Sequence, residues 1–130
     1  MSVAHPVFYS FKEYEELEDG SEVKHEYLAG QIYAMAGGTP EHAALAMAVG
    51  ARLATALEGG RCRVHSSDLK IRVTKTGLCS YPDVSVVCGP RELDPESKTT
   101  VTNPTLLVEV TSRSTEDYDR SDKFDHYRQI

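Results

Sequence analysis

Three ionisable side chains are spaced in a way that invites chemistry. Asp83 follows a proline at the head of a β-rich run, YPDVSVVC, Glu109 interrupts the apolar run TLLVEVTS, and Lys123 lies in a helix-patterned segment beyond it. An ionised carboxylate within a buried strand is costly unless a cation or hydrogen-bond donors meet it. If the two strands are neighbours, Asp83 and Glu109 converge, and two adjacent carboxylates stay ionised cheaply only with a cation between them. A hard divalent metal meets both needs, and an all-oxygen donor set favours Mg²⁺, at about 2.1 Å, over zinc. A lysine beside such a centre can hold a phosphate or an attacking water.

The elements that must position these groups can be read from pattern. In YPDVSVVC, Val84, Val86 and Cys88 alternate onto one face, with Asp83, Ser85 and Val87 on the other. Glu109 shares a strand face with Leu107 and Thr111, and on a helical wheel Lys123, Phe124, Tyr127 and Ile130 fall on one side. Ser114 and Asp117 form a capping box for that closing helix, which the pattern carries to Ile130 without a stop signal. Upstream, Ser10 with Glu13 caps a short helix that ends at the Asp19–Gly20 turn. VKHEYLAGQIYAMAGG reads as a hairpin about Ala29–Gly30. Thr39 and Pro40 open an alanine-rich helix that is apolar around most of its circumference, which predicts burial against a sheet. RCRVHSS and DLKIRV are strands, Thr76–Gly77 is a turn, and residues 90–104 read as a loop. The fold class is α/β (α+β), a mixed sheet flanked by helices, in one domain over residues 1–130.

Composition narrows the function classes. The chain has 130 residues, 40% hydrophobic and 26% charged, enough to bury a core. No apolar span approaches the roughly 18 residues of a membrane helix and the first residues do not resemble a signal peptide, so the expected location is cytoplasmic, with no membrane partner. Cys62, Cys79 and Cys88, odd in number and without CxxC pairing, are expected to be reduced core residues. The net charge of −6 is the wrong sign for coating nucleic acid. Residues 52–75 nevertheless carry six basic residues against two acidic ones, a balance of +4 that leaves −10 on the remainder. Arg63, Lys70 and Arg72 in that stretch are candidate phosphate contacts.

Plainer accounts stand beside each signal. Asp83 after proline is often a turn residue, Glu109 could pair with Arg63 or Arg72, and a lysine on an apolar helix face commonly snorkels to water. His42 could face solvent, and His25 with Glu26 could be a surface pair.

In combination, HEYLAGQIYAM, PEHAALAMAVGARLATAL, YPDVSVVCG and LLVEVTSRST…YDRSDKFDHY resemble the Uma-two family of endonucleases, a branch of the PD-(D/E)XK restriction-endonuclease-like superfamily. The resemblance implies a restriction-endonuclease-like fold with Asp83 and Glu109 as metal-binding acids, the Val110 carbonyl nearby, and Glu26 supporting the metal water. The superfamily's lysine, two residues after the glutamate, is Thr111 here, and the branch's displaced basic residue selects Lys123. The family continues into further strands, so the chain is expected to be truncated at its C-terminus and to self-associate as a homo-oligomer through Phe124, Tyr127 and Ile130. The resulting expectation is a Mg²⁺- or Mn²⁺-dependent hydrolase of DNA phosphodiester bonds. The other is a catalytically inactive nuclease-like binding or assembly module.

Overall fold

The computed structural model describes residues 7–35, 37–111 and 122–130. Helix α1, Phe11–Asp19, starts at a reciprocal capping box. Ser10 Oγ accepts the Glu13 amide at 3.1 Å, and Glu13 Oε1 accepts the Ser10 amide at 2.9 Å. Strands β1 (His25–Leu28) and β2 (Gln31–Ala34) pair antiparallel about Ala29 and Gly30. Both turn residues have positive φ, 51° and 82°, the two-residue turn whose twist matches that of the flanking strands. Helix α2, Pro40–Ala56, is capped by Thr39, whose hydroxyl accepts the His42 amide, with Pro40 at the first helical position.

The remaining strands are β3 (Cys62–His65), β4 (Lys70–Arg72), β5 (Cys79–Ser80), β6 (Val84–Cys88), β7 (Thr100–Val101) and β8 (Leu106–Val108). A five-stranded sheet runs β2-β1-β5-β4-β7, antiparallel except for the parallel β4–β7 pair, and a three-stranded antiparallel sheet runs β3-β6-β8. The mixed α/β class expected from the sequence is what the structure has. Val87 of the smaller sheet packs with Ile71 and Val101 of the larger, with Leu107 against them. The face read from the sequence as carrying Asp83, Ser85 and Val87 is thus the one that joins the two sheets. A second core of Phe11, Tyr14, Tyr27 and Cys79 fastens α1 to the larger sheet.

Several expectations are corrected. Helix α2 contains no buried residue; it lies along β3 and β6 with Leu45 and Met47 exposed, and its many alanines are too short to reach a core. Residues 90–104 are not all loop, since Thr100 and Val101 add a parallel strand to β4. Cys62 and Cys88 are not reduced: the β3–β6 register sets them opposite each other in a disulfide, while Cys79 is free and buried. That pairing is written in sheet register, not in cysteine spacing. A disulfide is uncommon in a reducing compartment. Helix α3 spans Phe124–Tyr127 and does not reach Ile130 as a helix. The Ser114–Asp117 capping box lies outside the described residues. No helix among those described is long and apolar enough to cross a membrane.

The basic stretch is also partly used up inside the fold. Lys70 is 4% exposed, with its ammonium on Glu15 Oε1, and the Ser97 hydroxyl donates to Glu15 Oε2 at 2.7 Å. Arg72 pairs with Asp94 at 3.3 Å, its guanidinium 3.6 Å from the centroid of the Phe11 ring. Neither presents a free cation to a phosphate, which corrects two of the three expected contacts; Arg63 is exposed on β3. Lys70→Ala would leave Glu15 as an uncompensated buried charge. Urea unfolding should show a loss of about 3 to 5 kcal/mol, largely recovered in the double substitution Glu15→Gln with Lys70→Met.

Candidate functional site

The site forms where the inter-sheet face runs out at the open ends of β6 and β8. These strands are antiparallel with Val84 opposite Val108, so Asp83 and Glu109 leave the paired ends side by side. Pro82 precedes Asp83, donates nothing to the ladder, and marks the strand's beginning. Glu109 lies just past the end of β8, not in mid-strand as its flanking residues suggest. The Val110 amide donates to Asp83 Oδ2 at 2.7 Å, tying the two ends together.

Lys123, immediately before α3, meets Glu109. It is 3% exposed, with its ammonium 2.9 Å from Glu109 Oε1 and 2.8 Å from Glu26 Oε1 on β1. Neither Arg63 nor Arg72 takes that place. Four residues on, the Tyr127 hydroxyl donates to the same Glu109 oxygen at 2.8 Å and lies 2.8 Å from Ser80 Oγ on β5. One helical turn therefore directs two side chains onto a single carboxylate oxygen. His42, in the first turn of α2, places Nε2 2.9 Å from the Val110 carbonyl oxygen and 3.3 Å from Asp83 Oδ2. Gly38 gives its ring room, since a Cβ there would come 2.8 Å from Nδ1.

The structure therefore gathers Asp83, Glu109, Val110, Lys123 and Glu26, on strands and helices far apart in sequence. His42 and Tyr127 join them unforeseen. Tyr127 had been read as a contact between copies, although its i, i+4 spacing from Lys123 was the available signal. His42 had one in its place three residues after an N-cap, which fixes a side chain at a helix's first turn. Phe124 and Ile130, placed by the helical wheel on one side with Lys123 and Tyr127, are instead exposed while Lys123 is buried.

Burial pushes the Glu109 carboxyl up to about 7; Lys123 and the Tyr127 hydroxyl oppose that rise, and Asp83 adds to it. Burial alone would pull the Lys123 ammonium down, but Glu109 and Glu26 outweigh it and hold its pKa above the ordinary lysine value. Burial also raises the Tyr127 phenol, with Glu109 adding to the rise, so this hydroxyl stays a donor. Two carboxyl groups, Glu109 and Glu26, thus share one ammonium, with Asp83 beside Glu109. Among the described residues the hydrogen bonds to Glu109 end on Oε1 and those to Asp83 on Oδ2, leaving an oxygen of each with no protein donor. No three His, Cys, Asp or Glu side chains among them gather into a metal cluster. Two carboxylates, a carbonyl and water suffice for Mg²⁺, which keeps several waters when protein-bound, so the donor set fits that cation.

Residues 11–130 match the model of the Uma2 family, described as "Putative restriction endonuclease". The chain belongs to the Uma2 family. Among relatives, "Uncharacterized protein slr1290" of Synechocystis sp. (strain ATCC 27184 / PCC 6803 / Kazusa) is 45% identical over 116 residues, 89% of this chain and 60% of that protein. "Uncharacterized protein sll1609" of the same organism is 29% identical over the whole chain and 73% of its own length. This Uma2 chain therefore spans about three fifths of the first relative and about three quarters of the second. A crystal structure of a "putative nuclease belonging to DUF820" from Anabaena variabilis ATCC 29413 superposes with a TM-score of 0.72 at 19% identity, over 93% of this chain and 67% of that one. At that identity the likeness establishes the fold alone.

The Glu109 carboxyl has a testable signature. Its pKa is near 7 in the folded chain and about 4.3 in an unfolded one, so between those values the folded state binds the extra proton. The stability this group contributes is full below about pH 4 and lost as pH rises through about 7. Urea unfolding from pH 5 to 8 should show the parent losing stability relative to Glu109→Gln, by up to about 3 kcal/mol across the window; parallel pH profiles would rule out the raised carboxyl.

Proposed function

We propose that this Uma2 domain is a Mg²⁺- or Mn²⁺-dependent endonuclease that hydrolyses DNA phosphodiester bonds. The observation that carries the reading is the placement of Lys123. It is distant in sequence from both acids yet buried with its ammonium on Glu109 and Glu26, where a lysine two residues after the glutamate would otherwise serve. Asp83, Glu109 and the Val110 carbonyl would hold the cation. When bound, such a cation acidifies a coordinated water and draws charge from phosphoryl oxygens.

The chain's own groups do the rest. The Val110 amide orients Asp83, and Tyr127 orients Glu109. Glu26 keeps the Lys123 ammonium charged and aimed into the site, where it would neutralise negative charge developing on the phosphate. A cleft of about 780 Å³ borders Asp83 and His42, with Ser66, Ser67 and Lys24 along its wall, and gives a strand room to approach. With Lys70 and Arg72 tied internally, Arg63 is the candidate phosphate contact left from the basic stretch.

A second reading, an assembly role, is favoured by one feature. Leu45 and Met47 on α2, with Phe124 on α3 and Ile130 after it, are large apolar side chains 47% or more exposed. We propose that the domain forms a homo-oligomer through such surface, with or without catalysis.

Asp83→Asn and Glu109→Gln keep shape and remove charge, so each should abolish both Mn²⁺ binding by calorimetry and Mg²⁺-dependent cleavage of a plasmid. Lys123→Ala should keep metal binding while cleavage falls about 100-fold or more. Nuclease activity unchanged in Glu109→Gln would assign it to another site or a contaminant. Light scattering at high micromolar concentration should give a mass above that of one chain, reduced by Leu45→Ser with Met47→Ser.

A further inference from the structure

We infer that His42 is itself a metal ligand, and that the site selects a first-row divalent transition cation over Mg²⁺. The inference rests on the metal-dependent reading above and deepens it. Its basis is the spacing of three donor atoms. His42 Nε2 lies 2.9 Å from the Val110 carbonyl oxygen and 3.3 Å from Asp83 Oδ2. Adjacent corners of an octahedron with bonds of about 2.1 Å are about 3 Å apart. The nitrogen is therefore spaced from each of the two oxygens as one corner is from its neighbours around a single cation.

Hydrogen bonding alone accounts for less of this arrangement. A neutral imidazole carries its proton on one nitrogen. If that proton is on Nε2, it serves the Val110 carbonyl at 2.9 Å and is shared only weakly with Asp83 Oδ2 at 3.3 Å, which already accepts from the Val110 amide at 2.7 Å. With the proton on Nδ1, the Nε2 lone pair faces the carbonyl and carboxylate oxygens, three electron-rich atoms turned toward one another. A cation among them satisfies all three at once. The ring is also held for this task, by the Thr39 cap that fixes the first turn of α2 and by Gly38, where a Cβ would crowd Nδ1.

The chemistry of the third donor sets the choice of metal. Carboxylate and carbonyl oxygens suit Mg²⁺, whereas an imidazole corner favours transition cations. Loss of a residue that merely orients a ligand also weakens metal binding by about 10- to 100-fold, so weaker binding in a variant is not decisive and a direct view of the metal–nitrogen bond is needed.

Mn²⁺ is the probe. The parent should bind Mn²⁺ at least tenfold more tightly than Mg²⁺ by calorimetry. Pulsed electron paramagnetic resonance of its Mn²⁺ complex should show a directly bound nitrogen whose signal changes when histidine is ¹⁵N-labelled. In His42→Ala that signal should vanish and the preference for Mn²⁺ should collapse to about threefold or less. Should the variant fail to fold, the labelled and unlabelled parent still decide the matter. Mn²⁺ bound in dependence on Asp83 and Glu109 but without nitrogen coupling overturns the role of His42 and leaves the proposed function standing. Nitrogen coupling that persists in His42→Ala also overturns it, and no Mn²⁺ binding up to several millimolar overturns both.

Discussion

The arrangement of this domain turns on the burial of Glu109. A carboxyl at the end of the inter-sheet face can be ionised only with a counter-charge, and the chain supplies one from well beyond the strand that carries the acid. Lys123 brings that charge from the start of α3, and Tyr127 fixes the helix there by reaching the same oxygen. Glu26 joins from the β1–β2 hairpin because one ammonium can satisfy two acceptors. Removing the lysine would leave two buried carboxyls, which is far costlier than never having buried them.

The same device recurs away from the site. Lys70 and Glu15 pair in the interior, with Ser97 and Thr100 hydroxyls completing the acceptor's bonds. There the contact fastens α1 to β4 and to the turn before β7. The two pairs differ in what surrounds them. Glu15 has hydroxyl and ammonium donors on both of its oxygens. Glu109 is met on one, with the acidic Asp83 beside it. A fully satisfied carboxylate is structure; one with an oxygen to spare and a like charge alongside is set up to receive a cation.

How much of this was legible in the sequence depends on the range of the interaction. Local grammar was readable: the Ser10–Glu13 box, the Ala29–Gly30 turn, the Thr39–Pro40 start and the Gly77 turn are each decided within a few residues. The alternation in VSVVC separated Val87, which packs on the larger sheet, from Val84 and Val86. What pattern could not give was register. Cys62 meets Cys88 because β3 pairs with β6 in one frame and not another, and no spacing rule encodes that. Lys70 and Arg72 looked like surface cations because nothing in DLKIRV names Glu15 or Asp94 as partners. The apolar character of α2 was read correctly, but hydrophobicity says only that a surface wants a cover, and within this chain it has little beyond β3 and β6.

These misreadings bear on substrate binding. A local charge of +4 suggested a basic face, yet two of its cations are spent on internal acids. In a chain of net charge −6, the general electrostatic attraction that draws phosphate to most nucleic-acid-binding proteins is therefore weak. If the domain is the nuclease proposed above, positive charge at the acids themselves, from Lys123 and from a bound cation, would be the principal means of holding a phosphate. Binding and catalysis would then depend on the same few groups, since a site without its cation would present carboxyls to an anion and repel it. On that proposal the burial of Glu109 and Lys123 would be a functional constraint as well as a structural one: the pair joined at the ends of β6 and β8 would also determine whether a phosphate can approach.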